Sequence, residues 1–304
     1  MRAILFHNPT SGSKGFEKED ILAALKLANI DATYVSTKGD EVEAAFNKKA
    51  DLFIAAGGDG TIRTVVAGAR DRGIPVAILP LGTANNVARS LGIAGTPQEL
   101  VETWNLEHTV PLDTGSARGA WGTSVFLEAF GVGLMPAYLR MAAKSKKPEG
   151  AANLQQGRDL LQKALKKADP IEIEITIDGK KLKGEFFGVE VLNVPFTGPG
   201  LPLGPRTNAA DGKLDVICFE ADSRKELLKW LDAPLEEPPP VTARKGSEVC
   251  LTWRDAPNRL DDKSFDNDDK TLTAEIACEE ATVCVIMPRK LPAQKAHEQK
   301  AETA

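Results

Sequence analysis

Ala55-Ala56-Gly57-Gly58-Asp59-Gly60-Thr61 is the stretch on which the fold turns. The run before it, Asp51-Leu52-Phe53-Ile54-Ala55-Ala56, is short and apolar, as a buried strand is, and it stops at glycines grouped around one aspartate. From Thr61 onward, Ile62, Val65, Val66 and Ala69 recur at helical spacing. The stretch therefore reads as a strand, a tight loop and a helix N-terminus. Glycines permit positive φ and a close approach of backbone to ligand. A helix start offers N–H groups without intrahelical partners and a positive potential, which suits phosphate. Asp59 adds a carboxylate able to hold a metal-bound phosphate or to orient a hydroxyl. A Gly-Gly-x-Gly turn by itself serves equally well as a plain strand-to-helix connection, so the neighbours decide.

The neighbours repeat the pattern. Arg2 to His7 reads as a buried strand and leads into Asn8-Pro9-Thr10-Ser11-Gly12-Ser13-Lys14-Gly15, a loop of small hydroxyl residues, glycine and one lysine. It lacks the Gly-Lys-Ser/Thr ending of a Walker A loop, and Lys14 could add charge there. A helix is expected over Phe16 to Asn29, a strand over Ala32 to Ser36 and a short helix over Asp40 to Lys48. Pro75 to Leu79 is another apolar strand, and it ends in Pro80-Leu81-Gly82-Thr83-Ala84-Asn85-Asn86 before helical spacing resumes at Val87, Ala88 and Leu91. Strands alternating with helices imply a parallel sheet with helices on both faces. Ligands of such sheets bind outside the carboxyl ends of the strands. Loops after the first, third and fourth strands share that rim, which points to a nucleotide phosphate.

From Thr109 the character changes. Thr109 to Gly115 and Ser124 to Phe130 are strand-like, and Phe130-Gly131-Val132-Gly133 opens towards a helix. Lys144, Lys146, Lys147, Pro148 and Gly150 mark an exposed loop, and Leu154 to Lys167 an amphipathic helix with a basic face. Ile171, Ile173, Ile175 and Ile177 then alternate with polar residues up to Asp178-Gly179, a hairpin signal, and Leu182 to Val194 returns. Further strands are expected at Leu214 to Phe219, Glu248 to Trp253, Leu272 to Cys278 and Ala281 to Met287, with one helix near Arg224 to Leu231. The plan is a nucleotide-binding α/β domain over residues 1–115 and a β-rich substrate domain over residues 116–288. A polar tail, residues 289–304, is expected to be frayed, disordered or packed back on the first domain.

Bulk properties agree. A chain of 304 residues favours two domains. The net charge of −5 leaves no basic excess for a general nucleic-acid binder. Cys218, Cys250, Cys278 and Cys284 are far apart, without CxxC spacing, and fit a reducing compartment. The apolar start is too short for a signal peptide, and no apolar run is long enough to span a bilayer. The expectation is a soluble, cytoplasmic protein whose membrane contact, if any, is peripheral.

Asn8-Pro9-Thr10-Ser11-Gly12, Gly57-Gly58-Asp59-Gly60-Thr61 and Leu81-Gly82-Thr83-Ala84-Asn85-Asn86-Val87-Ala88-Arg89 resemble, in order and spacing, the signature loops of the diacylglycerol kinase catalytic family. These are ATP-dependent lipid kinases, sphingosine kinases among them. The resemblance implies an α/β N-terminal domain followed by a mainly antiparallel β-sandwich. It implies ATP and Mg²⁺ as cofactors and a lipid substrate met by peripheral membrane contact, and it leaves a homodimer open. Carried over, Asn8, Pro9, Thr10, Ser11 and Gly12 surround the ATP phosphates with Gly57, Gly58, Asp59, Gly60, Thr61, Ile62 and Arg63. Gly82, Thr83 and Asn85 join from the third loop, and Thr37 matches a further nucleotide-contacting position. The family's third loop usually reads Gly-Thr-x-Asn-Asp, and here Asn86 stands at its end.

Asp211-Gly212-Lys213-Leu214-Asp215-Val216 resembles the family's Asp-Gly-x-Leu-Asp-Val element. The resemblance implies a structural Mg²⁺ on the Asp211 side chain and the carbonyls of Asn208 and Lys213. The family's Asp-Gly-Glu, which supplies the proton acceptor, has no copy here. Its region is Asn258 to Lys270. Counting back from the last strand favours Asp266 and Asp268; counting forward from Val249 to Trp253 gives Asp261, with Lys263 in the glutamate's place. Asp266-x-Asp268-x-Lys270 lacks the glycine and closing glutamate of an EF-hand. An NAD kinase, which shares the Gly-Gly-Asp-Gly-Thr loop, and a catalytically silent nucleotide- or lipid-binding protein are the alternatives.

Overall fold

Strand and helix alternate from the first residues of the computed structural model, which describes residues 1–11, 16–145, 151–266 and 270–289. The order is β1 (Arg2–His7), α1 (Lys18–Leu27), β2 (Asp31–Ser36), α2 (Val42–Ala45), β3 (Leu52–Gly57), α3 (Asp59–Ala69) and β4 (Val76–Pro80). β1 pairs in parallel with β2 and β3, and β3 with β4, so the strands lie in the order β2-β1-β3-β4. All of β3 is buried, which is why its sequence shows no polar alternation. Phe6 stacks on Phe46 at 4.5 Å, and Phe53 meets both rings edge-on at 5.8 and 5.4 Å. Gly68 of α3 lies against the Phe46 ring, where a Cβ would come within 2.2 Å.

The parallel order matches expectation, with one shift that matters. Helix α3 starts at Asp59, not Thr61, with Gly58 as its N-cap, so Asp59 and Gly60 lie in its first turn. Next come α4 (Asn86–Ser90) and α5 (Pro97–Thr103). Helix α5 was not anticipated, although its signals are there: Thr96 and Glu99 form a capping box and Pro97 opens the helix.

The remaining elements are β5 (Thr109–Gly119), β6 (Gly122–Phe126), β7 (Ala129–Gly133), α6 (Leu134–Ala143), α7 (Ala151–Lys167), β8 (Ile171–Ile177), β9 (Lys180–Leu192), β10 (Leu214–Glu220), α8 (Arg224–Trp230), β11 (Thr242–Gly246), β12 (Glu248–Arg254), β13 (Asn258–Leu260), β14 (Lys263–Phe265) and β15 (Thr271–Ile286). Pairing here is antiparallel, along the path β14-β13-β7-β9-β8-β12-β15, with β10 between β9 and β11. Asp178 and Gly179 both take positive φ, 45° and 78°, as a two-residue hairpin turn requires. One apolar core gathers Phe130, Ile175, Val216 and Trp253. A second lies between the sheet and helices α6, α7 and α8, around Tyr138, Leu165, Phe187 and Trp230.

The two strands expected near the C-terminus form one, β15, whose turn-like residue Ala281 (φ 47°) has its N–H held by Asp113 Oδ1 at 2.7 Å. Strands β11, β13 and β14 escaped the sequence reading because three to five residues are too few to display a period.

Two compact units result. The first comprises Met1–Leu81, Leu91–Pro111 and Val283–Ala304; the second comprises Gly82–Ser90 and Leu112–Thr282. The end of β15 joins the first unit, with Val285 paired in parallel to Val76. Gly12, Lys14, the Lys146 to Gly150 loop, Asp268 and the tail beyond Arg289 lie outside the described residues. Among the described residues, no helix is long and apolar enough to cross a membrane.

Candidate active site

In the first unit, the loops singled out by sequence share one edge of the sheet. Asn8 N donates to Ala56 O at 3.0 Å and Thr37 N to His7 O at 2.9 Å, so the loops after β1, β2 and β3 are stitched together at their roots. The first loop folds on itself: Asn8 Oδ1 accepts from Thr10 N at 3.1 Å and from Thr10 Oγ1 at 2.9 Å, an Asx turn. Gly57 ends β3 against α3, where a Cβ would lie 2.4 Å from Thr61 Oγ1. Only glycine lets strand and helix meet this closely. The amide-rich first turn of α3, carrying Asp59 and Gly60, thus opens at the same edge as Asn8 and Thr37. That combination provides dipole and N–H donors for an anion. His7, buried at the root of the first loop, is held below the ordinary imidazole range by that burial, against the opposing charges of Glu17 and Glu19.

The third loop belongs to the second unit from Gly82 onward. Asn85, at φ 48°, closes it with two hydrogen bonds to Gly82, Oδ1 from N at 2.9 Å and Nδ2 to O at 2.8 Å. Asn85 therefore shapes the loop, and Thr83 is exposed at its tip. The neighbouring Asn86 is buried, and its Nδ2 donates to Glu128 Oε2 at 2.8 Å and to Gly198 O at 3.0 Å. An aspartate in its place would face another carboxylate, which gives the Asn86 departure a physical reason within this chain.

The acidic region separates into parts. Asp261 and Asp262 form the two-residue turn between β13 and β14, with Leu260 paired to Lys263. The Asp261 carboxylate is buried and accepts the main-chain N–H groups of Leu127 (3.2 Å), Glu128 (2.7 Å) and Ala129 (3.1 Å). It locks the junction between β6 and β7. Asp266, just after β14, is exposed and lies 2.6 Å from Arg140 on α6. The structure thus separates residues that sequence reasoning held as rivals for one role.

Sequence reasoning missed a buried ionic cluster beside the Asp261 turn. Arg259, Gly131 and Glu190 stand opposite one another on β13, β7 and β9. Gly131 leaves the gap through which Arg259 reaches across, for a Cβ there would lie 1.9 Å from Glu190 Oε1. Arg259 Nε and Nη2 donate to Glu190 Oε2 at 2.8 and 2.5 Å, and Nη1 to Glu128 Oε1 at 3.1 Å and Asp261 O at 2.7 Å. Thr197 Oγ1 (2.6 Å) and Gly198 N (3.1 Å) also donate to Glu128 Oε1. Burial, aided by the Glu128 charge, pushes the Glu190 carboxyl up to about 7 in spite of Arg259. Burial and the Glu128 charge likewise push the Tyr138 hydroxyl up to about 12. The available signal was a lone acid in each of two apolar runs, Leu127-Glu128-Ala129 and Val189-Glu190-Val191.

The Asp211 element folds as a turn held by Asp113, whose Oδ2 accepts Gly212 N at 2.9 Å. The cation at Asp211 is internal. Lys245 on β11, directly opposite Asp215 on β10, places Nζ 2.8 Å from Asp211 Oδ2 and 3.4 Å from Asp215 Oδ2. Burial pulls the ammonium down, but its bonds and charge pairing with Asp211 and Asp215 outweigh that and raise its pKa. A divalent ion bound at Asp211 would have to displace this ammonium.

Comparison with known proteins adds independent findings. Residues 2–117 match the model of the diacylglycerol kinase catalytic domain, and residues 140–257 match the YegS C-terminal NAD kinase beta sandwich-like domain. A diacylglycerol kinase of Bacillus subtilis (strain 168) is 31% identical over 244 residues, covering 75% of this chain and 77% of that protein. The crystal structure of a diacylglycerol kinase from Bacillus anthracis str. Sterne superposes with a TM-score of 0.67 at 22% identity, over 96% of this chain and 97% of that one. An NAD kinase from Archaeoglobus fulgidus, solved with ATP, gives 0.53 at 15% identity over 100% of both chains. The two structures speak for the fold alone.

Proposed function

The chain belongs to the diacylglycerol kinase catalytic-domain family, phosphotransferases with an alcohol acceptor, and on that premise we propose that it transfers the γ-phosphate of ATP to the hydroxyl of a diacylglycerol-like lipid. The observation that carries the nucleotide half is the stitched edge of the first unit, where the Asn8 and Thr37 loops meet the first turn of α3. Gly58, Asp59 and Gly60 present main-chain amides to phosphate oxygens, and the Ser11 hydroxyl adds a donor from the first loop, whose turn Thr10 closes onto Asn8. Asp59 would hold the Mg²⁺ that accompanies the nucleotide, an ion that neutralises charge on the phosphates during transfer.

The acceptor half rests on the second unit. Phosphorylating an alcohol calls for a carboxylate that takes the hydroxyl proton. With Asp261 engaged by three main-chain N–H groups, Asp266 is the candidate among the described residues, oriented by Arg140, and Asp268 two residues on is its partner in this proposal. Asp261 then acts through position, holding the hairpin from which Asp266 emerges. Lipid access implies peripheral contact with a membrane surface.

Purified protein incubated with γ-labelled ATP and diacylglycerol in mixed micelles, other lipid alcohols, NAD or no acceptor tests the reading. Label is expected on a lipid, and label on NAD alone would sink the proposal. A second reading, a catalytically silent nucleotide-binding protein, is favoured by the locked Asp261 and by Lys263 beside it. Measurable ATP binding without transfer to any acceptor would select it.

A further inference from the structure

Helix α4 carries the end of the third loop, and three of its five residues meet Glu128 and the Phe196 to Gly198 segment, with Asn86 buried among them. Asn86 Nδ2 reaches Glu128 Oε2 at 2.8 Å and Gly198 O at 3.0 Å, Ser90 Oγ accepts from Phe196 N at 3.3 Å, and the Arg89 guanidinium covers the Phe196 ring at 4.2 Å. Glu128 stands at the centre. One carboxylate oxygen takes Asn86, and the other takes Thr197 Oγ1, Gly198 N and Arg259 Nη1. Its own N–H donates to Asp261 Oδ1 at 2.7 Å. Glu128 thus hydrogen-bonds directly to α4, to the Thr197-Gly198 turn, to Arg259 and to the Asp261 turn.

We propose that Glu128 is a positioning residue for phosphoryl transfer, and that Asn86 and Glu128 form a matched amide–carboxylate pair that registers the third loop against the Asp261 hairpin. The inference rests on the kinase reading but makes its own claim. The chemistry is directional. Glu128 needs a donor on the Asn86 side and donors on the Thr197 side, and it has both. Asn86 is buried, where a polar mismatch is costly. Its Oδ1 is buried without a hydrogen-bond partner among the described residues, so its side-chain hydrogen bonds run through the nitrogen, to Glu128 and Gly198. A change at either partner shifts α4 and the hairpin relative to each other, and a misplacement of about 1 Å costs on the order of 100-fold in rate.

The test uses Asn86→Asp, Glu128→Gln and the double variant in the full-length protein. Asn86→Asp sets two carboxylates face to face. It is expected to lower kcat for lipid phosphorylation about 100-fold while KM for ATP stays within about threefold. In the double variant the amide nitrogen introduced at position 128 donates to the carboxylate introduced at position 86, and the new amide carbonyl keeps Thr197, Gly198 N and Arg259. The bond to Gly198 O is lost in Asn86→Asp and in the double variant alike, so their comparison isolates the pair. Recovery of at least about tenfold over Asn86→Asp is expected. Asn86→Ala, which adds no charge, covers the case in which Asn86→Asp fails to fold, and it is expected to lower kcat about tenfold with KM for ATP unchanged. Near-normal kcat in Asn86→Asp or Asn86→Ala, or a well-folded double variant no faster than Asn86→Asp, overturns the pairing. The wild-type lane judges the kinase reading separately: a wild type that labels no lipid overturns that reading, and this role with it, whatever the variants do.

Discussion

The β3–α3 loop of the first unit and the Arg259 cluster of the second solve opposite problems. The loop brings an amide-rich helix start to a strand edge, with Gly57 where a Cβ would meet Thr61. The cluster closes polar groups inside the sheet, with Gly131 as the gap that lets Arg259 reach Glu190. Both use glycine for close approach, Gly57 to bring strand and helix together and Gly131 to admit a guanidinium. The difference teaches that an amide-rich helix start at a strand edge suits the binding role proposed for the loop, while a closed ionic cluster sets internal register. Substitutions in the two places should therefore fail differently: loss of transfer with the fold intact in the loop, loss of fold first in the cluster.

The largest effect is expected at Arg259. Arg259→Met leaves Glu128 and Glu190 buried without their cation, a change that costs about 3–5 kcal/mol. Urea unfolding should show a much lower midpoint with little change in slope. A midpoint within error of wild type would mean that the cluster is not a stabilising centre. Asp59→Ala is the counterpart in the loop. Transfer should fall about 1,000-fold with the unfolding midpoint nearly unchanged. Near-normal turnover in that variant would remove Asp59 from the site.

Glu190 gives the comparison a pH axis. Its carboxyl is raised from 4.5 to about 7 in the folded chain, first by burial. Between those values the folded state holds a proton that the unfolded state has released. Stability therefore falls as pH rises through this window and levels off above it. The whole drop is on the order of 3 kcal/mol. In Glu190→Gln that part of the slope should vanish, and parallel pH–stability curves for variant and wild type would refute it.

The same contrast explains what the sequence disclosed. Strand β3 was legible because a strand buried on both faces must be apolar throughout, and the β8–β9 hairpin because period two and Asp178-Gly179 agree. The loops after β1, β2 and β3 were legible because tight connections with close backbone approach demand small residues in local patterns. The start of α3 was read two residues late, since glycines at Gly58 and Gly60 look like loop until the helix that follows is seen. The Arg259 cluster was not legible, because Glu128, Glu190 and Arg259 meet only through the register of β13, β7 and β9. A lone buried acid announces that a partner exists but not which one. The acidic stretch from Asp261 to Asp266 was ambiguous for the same reason: a main-chain lock and an exposed carboxylate are chemically identical in sequence.

Lys245 offers the mildest test, and it bears on which unit needs a metal. Its ammonium already serves Asp211 and Asp215, with Asp215 mostly buried. Without nucleotide, the melting temperature of the wild type should not respond to EDTA or to excess Mg²⁺, because no divalent ion has to enter this turn. Lys245→Met removes the internal cation and leaves two carboxylates facing each other, at a cost of about 1 kcal/mol. Excess Mg²⁺ should then restore the melting temperature, since a ligand bound only by the folded state stabilises it by mass action. A wild type that melts higher in Mg²⁺ alone would show that a divalent ion displaces Lys245 at Asp211. The metal requirement would then extend from the nucleotide to the second unit's fold.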